Sequence, residues 1–177
     1  RIATRHRSGA LDSMRAVVVA KTRMGRNTCV GAVEEPTGRF LRLIPEDTEE
    51  FRSWPECSAR IGEMLELNTR PARWVQPPHI EDIVVTRWQP VGYVSTLASW
   101  ICERCPVWAG HLNNIFDGKL RSTPRGSQFI QADTGVPSHS VGFWRVPWSL
   151  RLEDHDAGFG RRLKYVSCAE EYFSVSY

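Results

Sequence analysis

Basic side chains gather around one predicted hairpin near the start of the chain. Lys21, Arg23 and Arg26 lie in or beside a short glycine-containing loop, and Arg39 and Arg42 lie on the strand that follows it. Guanidinium groups form paired hydrogen bonds with phosphates and stack on bases, so these five residues are candidate nucleic-acid contacts. The alternative is a solvated loop with ordinary surface charges, and the sequence leaves it open.

The spacing of Arg39 and Arg42 limits what the hairpin can do. Successive side chains on a strand point to opposite faces, and these two residues are an odd number of positions apart. We therefore expect one arginine on each face of the strand, unless a bulge brings both to one groove.

A second basic and aromatic group follows some thirty residues later. Arg73 and Trp74 are candidate ligand contacts, because an indole beside a guanidinium forms a platform on which a base can stack. The alternative for Trp74 is packing over the end of a barrel. His79 stands close to Glu81 and Asp82, a combination that suits ligand binding or general acid–base catalysis. A turn whose polar side chains cap local backbone groups explains the same residues equally well.

Cys102 and Cys105 have the spacing of half a zinc site or of a redox pair. The remaining ligand candidates for a zinc ion are His111, His139, His155 and Cys168. Since the sequence holds no second pair with this spacing, we predict no cofactor and treat the two cysteines only as weak candidates for metal ligands.

The composition sets outer limits on these functions. The 177 residues suffice for one ordinary domain or two small ones, and the net charge of +3 permits a polyanionic partner without requiring one. No apolar run approaches the roughly 20 residues that cross a bilayer, and the N-terminus lacks the apolar segment of a secretory signal. We therefore expect a cytoplasmic protein with no membrane partner. Residues 1–13 are predicted to be a disordered extension, with Met14 as the true start.

The elements that must position these residues are short strands. Valine-rich and alternating segments predict a hairpin over residues 28–45 and strands at 15–21, 58–67, 73–75 and 83–88, and again at 141–146, 149–153, 162–168 and 172–177. Between the two groups we predict a short helix over residues 95–104, with Ser95 as its N-cap, and a long irregular loop over 107–140. Several short strands with a bulge glycine and proline-rich connectors are typical of small barrels.

Four segments carry a family resemblance: CVGAVEEPTGRFLRLIP, GEMLEL, PPHIEDIVV and SVGFWRVPWSL. In this order and at these separations they resemble the prokaryotic dual OB-fold domain family, most closely within residues 14–90. The resemblance implies two small OB-like barrels packed together, the first over residues 14–90 and the second over 91–177. It also implies a defence-associated protein, and a last hairpin that continues beyond Tyr177, so we expect the present chain to be truncated there.

Together these features predict an all-β protein with a minor helical part. We expect a non-enzymatic module that binds single-stranded nucleic acid or a nucleotide-like ligand, with protein partners from a prokaryotic defence system. Two alternatives remain open. One is a PUA-like reader that holds a small molecule or modified base in a closed pocket. The other is an enzyme that uses His79 with Asp82, or a zinc site at Cys102 and Cys105.

Overall fold

A computed structural model describes most of the chain. The described residues are 12–48, 53–111, 114–124, 128–131, 133, 135–147, 149–156, 161–167 and 174–176. They divide into two compact units. The first holds the described residues up to Val75 together with Glu81–Cys105, and the second holds Gln76–Ile80 with those from Pro106 onward.

The first unit is a closed barrel of five strands. Its strands are β1 (Asp12–Met24), β2 (Asn27–Glu34), β3 (Phe40–Pro45), β4 (Glu63–Pro71) and β5 (Asp82–Tyr93). They are hydrogen-bonded in the order β1-β2-β3-β5-β4, and β4 closes the barrel against β1. Every pair is antiparallel except β3 with β5. This is the five-stranded Greek-key arrangement expected for the first OB-like barrel.

The long first strand makes closure possible. β1 pairs with β4 through its first half and with β2 through the rest, and its register with β2 shifts between Val18 and Ala20. Such a bulge bends the strand and increases its twist, so one strand can serve both sides of the barrel. Residues 12 and 13 already belong to β1, and the remainder of the predicted N-terminal extension lies outside the described residues.

The barrel interior follows the apolar alternation of the strands. In β4, Leu65, Leu67 and Thr69 are buried while Glu66 and its outward neighbours are not. The buried core consists of small and aliphatic side chains: Ala16, Val18, Val30, Ala32, Leu41, Leu43, Ala59, Leu65, Leu67 and Val85. Filling the interior with such side chains makes it a packed core without a channel.

The segment between β3 and β4 closes one end of this core. Trp54 forms an isolated bridge with Thr28, and its indole Nε1 donates to the carbonyl of Leu43 at 2.8 Å. Trp54, Cys57 and Trp88 pack against the core from this side. The three side chains therefore belong to the hydrophobic interior of the barrel.

Helix α1 (Leu97–Arg104) follows the barrel. It begins two residues after the predicted start, and Thr96 stands at the N-cap without a side-chain hydrogen bond, so the predicted Ser95 cap was wrong. The helix ends just ahead of Pro106, as expected from the missing backbone donor of proline. None of the described helices has the length and apolar character needed to span a membrane.

The described part of the second unit contains short strands in three small sheets. Its strands are β6 (Val107–Ala109), β7 (Leu120–Ser122), β8 (Gln128–Ile130), β9 (Phe143–Arg145), β10 (Leu150–Asp156), β11 (Arg161–Ser167) and β12 (Ser174–Ser176). β6 pairs with β9 in parallel, β7 pairs with β8, and β10, β11 and β12 form an antiparallel sheet. The prediction of a mostly-β fold with one short helix is confirmed for the described residues.

Candidate functional site

The loop between β1 and β2 presents one arginine to solvent. Gly25 adopts the left-handed conformation, with φ at 63°, and makes the tight turn possible. The Nε of Arg23 donates to the Gly25 carbonyl at 3.0 Å, which fixes that arginine against the turn. Arg26 is exposed and makes no hydrogen bond or ion pair with another described residue. Its guanidinium is therefore available for an anion.

Lys21 has a different environment from the loop that follows it. Its ammonium donates to the carbonyls of Cys57 and Ala59, both at 2.8 Å. These carbonyls belong to the segment that closes the barrel, so Lys21 holds this segment in place. Lys21 and Arg26 therefore have different roles in the structure, although the sequence places both in one basic group.

Arg39 and Arg42 have different partners. Arg39 precedes β3, is 58% exposed, and has its Nε 3.3 Å from a carboxylate oxygen of Glu34. Arg42 lies within β3 and donates from Nε and Nη2 to both oxygens of Asp82, at 2.5 and 2.7 Å. The side chain of Asp82 is fully buried. Arg42 thus takes part in a bidentate pair that links β3 to the start of β5.

Electrostatics around Arg42 follow from this pair. Burial opposes the charged form of Arg42, but the hydrogen bond and charge of Asp82 outweigh it, so the pKa of Arg42 lies above its usual value. Burial raises the pKa of the nearby Cys29 thiol, partly offset by the charge of Arg42. Since Asp82 already supplies the anion that Arg42 needs, this arrangement is that of a structural ion pair.

The loop between β4 and β5 carries the most exposed tryptophan among the described residues. Trp74 is 73% exposed, and its neighbours Arg73 and Val75 are exposed as well. An indole in this position offers a flat apolar face on which a planar ring can stack.

His79 lies further along the same connection. It forms an isolated bridge with Gln76, and its backbone N–H donates to the Gln76 carbonyl at 2.8 Å, around a cis peptide bond between Pro77 and Pro78. The imidazole Nδ1 is buried and has no hydrogen-bond partner among the described residues. Both oxygens of Asp82, the predicted partner of His79 in catalysis, accept from Arg42.

Sequence reasoning missed a polar groove on the outer face of the barrel. Glu66 and Asn68 of β4 and Arg87 and Gln89 of β5 line it, and the Gln89 amide donates to Glu66 at 2.6 Å. Polar residues alternate with buried ones along β4, and this signal could have revealed half of the groove. The residues of β5 that line the groove could not be predicted from the sequence, because the register between β4 and β5 shifts between Asn68 and Thr69.

The two candidate metal ligands lie at the end of α1. Cys102 is exposed and Cys105 is half-buried, and burial raises the pKa of the Cys105 thiol. Within the described ranges, no group of three or more His, Cys, Asp and Glu side chains is arranged to hold a metal ion. Cys168 lies outside those ranges.

A cluster of aromatic and polar side chains organises the described part of the second unit. The rings of Trp108 and His139 stack at 4.9 Å, with Phe116 tilted against both. The carboxylate of Asp117 accepts from the backbone N–H of Ser138 at 2.7 Å, and the Ser138 hydroxyl lies 2.8 Å from Nδ1 of His139. These contacts tie two connecting segments together.

Comparison with known proteins identifies the family. The family described as "Dual OB-containing domain" matches residues 14–177, which is almost the whole chain. No curated protein matches the chain. No solved structure matches it either.

Proposed function

Because this chain belongs to the dual OB-containing domain family, we propose that it is a non-catalytic module that binds single-stranded nucleic acid or a nucleotide-like ligand. One observation carries the proposal. Trp74 is 73% exposed in the β4–β5 loop of a closed five-stranded barrel. In barrels of this kind the β1–β2 and β4–β5 loops contact oligonucleotides.

Each loop supplies a different part of the interaction. In the β4–β5 loop, a base stacks on Trp74 while Arg73 approaches the adjoining phosphate. In the β1–β2 loop, Arg26 approaches a second phosphate. Stacking of one base on an aromatic side chain contributes roughly 1–3 kcal/mol and tolerates any base. The proposed module therefore recognises unpaired nucleotides with little sequence preference.

The test is fluorescence anisotropy with a short labelled single strand, for DNA and for RNA. Trp74→Ala should weaken binding by roughly fivefold to 150-fold. Tyr93→Ala is the matched control, since Tyr93 is a second aromatic residue with 66% exposure and lies outside both loops. No binding of either strand by the unaltered protein would refute the proposal. Salt-insensitive binding of a mononucleotide alone would favour a reader of single bases.

We further propose, on the family resemblance alone, that the module is part of a prokaryotic defence system, and we propose that it works in the cytoplasm. Its protein partners would be other components of that system. Deletion of its gene should lower the resistance of the host to phage, and a copy carrying Trp74→Ala should fail to restore it. Unchanged resistance after deletion would contradict this role.

A further inference from the structure

The outer face of β2 and β3, which usually holds the ligand in such barrels, is closed in this protein. Val33 and Ile44 point outward, yet they are 0% and 1% exposed. The Phe40 ring lies directly over Gly31, so close that a Cβ on that glycine would be only 2.7 Å from the ring. The outward arginine, Arg42, is paired with Asp82. A single strand therefore has little surface to contact on β2 and β3.

The opposite outer face, formed by β4 with the adjoining parts of β1 and β5, is polar along most of β4, whereas the outward residues Val17 of β1 and Val84 of β5 are buried. The strand register places Ser13, Asn68 and Arg87 side by side in one row across the three strands. Arg15, Glu66 and Gln89 form the next row. Directly opposed residues on neighbouring strands lie about 5 Å apart, so these rows form a continuous polar surface.

Several groups on this face are available for a ligand. The Arg87 guanidinium and the Asn68 side-chain amide make no hydrogen bond with other described residues, and both line the open groove. Arg15 is exposed beside Glu66, whose carboxylate also accepts from Gln89. Arg70 lies 3.5 Å from Glu46, so the charged side chains on and beside this face are three cations and two carboxylates.

From this face the chain continues directly to the exposed tryptophan, Trp74. Asn68 and Arg70 are outward residues of β4, and the chain continues from that strand through Pro71 to Trp74. At about 3.3 Å for each residue of an extended chain, Asn68 and Trp74 are at most roughly 20 Å apart. A site of this length fits the several nucleotides that one OB-like barrel typically binds.

We propose that a single-stranded nucleic acid crosses the outer face of β1, β4 and β5, and not the face of β2 and β3. One base stacks on Trp74, Arg87 contacts a phosphate of the strand, and Asn68 offers its amide to a base edge. This inference rests on the proposed nucleic-acid function and adds the path that the strand takes.

The experiment compares two arginines that each lose one charge. Arg87→Gln removes the cation from the proposed face, and Arg39→Gln removes an exposed cation next to β3. Binding of a labelled oligo-dT is measured by anisotropy across a range of salt concentrations. Arg87→Gln should weaken binding roughly threefold to tenfold and reduce the slope of log K against log salt by about 0.7. Arg39→Gln should change neither quantity.

The other outcomes separate this inference from the proposed function. If Trp74→Ala weakens binding while Arg87→Gln and Asn68→Ala do not, the path is wrong and the function stands. If both arginine variants reduce the slope equally, binding depends on overall charge, and the path is again wrong. If the unaltered protein does not bind the strand, the function fails and the path fails with it. Urea denaturation of each variant checks that its fold is intact.

Discussion

At the scale of single residues, hydrogen-bond partners distinguish the roles of similar cations. Lys21 and Arg26 are five positions apart and both belong to the basic group around the first hairpin. The ammonium of Lys21 serves two carbonyls of the closing segment, whereas Arg26 projects into solvent. A positive charge near a candidate site is therefore insufficient evidence for ligand contact.

This difference predicts opposite effects for two matched substitutions. Lys21→Met should lower the free energy of unfolding by about 1–3 kcal/mol, because two carbonyls lose a charged donor, and should leave affinity for a single strand unchanged. Arg26→Met should leave stability within about 0.5 kcal/mol and reduce the salt slope of binding by about 0.7. Urea denaturation and anisotropy measure the two effects. Weaker binding by a fully folded Lys21→Met variant would contradict this division.

The ion pair between Arg42 and Asp82 gives a second prediction. Asp82→Ala should lower the free energy of unfolding by about 3–5 kcal/mol, since it leaves a largely buried guanidinium without its anion. The double variant Arg42→Met with Asp82→Ala should be less destabilised than the sum of the single effects, because no unpaired charge remains. Urea denaturation of the three variants measures the coupling. Strictly additive effects would show that the pair is not a coupled unit.

At the scale of elements, alternation in the sequence predicted the strands better than their bounds and register. The hairpin was predicted over residues 28–45, and β2 and β3 lie within or next to it. β4 begins at Glu63 instead of at residue 58, because Gly62 adopts a left-handed turn just before the strand. β5 extends to Tyr93, well beyond the predicted residue 88, since pairing with β4 continues through two register shifts. Such shifts depend on the neighbouring strand and leave no local signal.

The candidate site could also be predicted only in part, because it too depends on residues that are distant in the chain and leave no local signal. Residues 73–75 were predicted as a strand, but they lie in the loop between β4 and β5, where Trp74 is 73% exposed. The engagement of Lys21 and Arg42 was not predictable, because their partners are 36 to 40 positions away in the chain. Hydrogen bonds over such separations form only once the barrel is closed.

Contact between α1 and the turn of the first hairpin can be tested with two glycines. Gly38 and Gly25 both have positive φ, at 69° and 63°. A Cβ on Gly38 would overlap the carbonyl of Arg104 at the end of α1, whereas a Cβ on Gly25 would meet nothing within 4 Å. Gly25→Ala should therefore cost about 1–2 kcal/mol for backbone strain alone. Gly38→Ala should cost distinctly more in thermal or urea unfolding, and equal losses would contradict the contact.

The connection between Asp117 and Ser138 should respond to acid. The hydrogen bond from the backbone N–H of Ser138 holds the pKa of Asp117 below its usual value. A lowered pKa in the folded state means that the carboxylate stabilises this connection above the ordinary pKa of about 3.9, and that the stabilisation is lost as pH falls through the lowered value. The NMR shift of the Ser138 amide should titrate with a midpoint below 3.9. Asp117→Asn should abolish this titration, and a midpoint at or above the ordinary value would contradict the assignment.

At the scale of the whole molecule, charge and exposed aromatic surface determine which nucleic acid is preferred. A net charge of +3 over 177 residues attracts polyanions only weakly, so electrostatics alone gives little affinity for any duplex. Within a duplex, the faces of each base are covered by its neighbours, which leaves nothing for Trp74 to stack on. A single strand offers such faces, and contacts of Arg26, Arg73 and Arg87 with phosphates would add a modest electrostatic contribution.

We therefore expect the protein to prefer single strands over duplexes of the same sequence. Three phosphate contacts imply a slope of log K against log salt of roughly −2 for a single strand. Competition of unlabelled duplex against a labelled single strand, at two salt concentrations, measures both quantities. Trp74→Ala should remove most of the preference, since the remaining arginine contacts do not require an unstacked base. Equal competition by the duplex, or a preference that persists in Trp74→Ala, would show that the indole is not the source of selectivity.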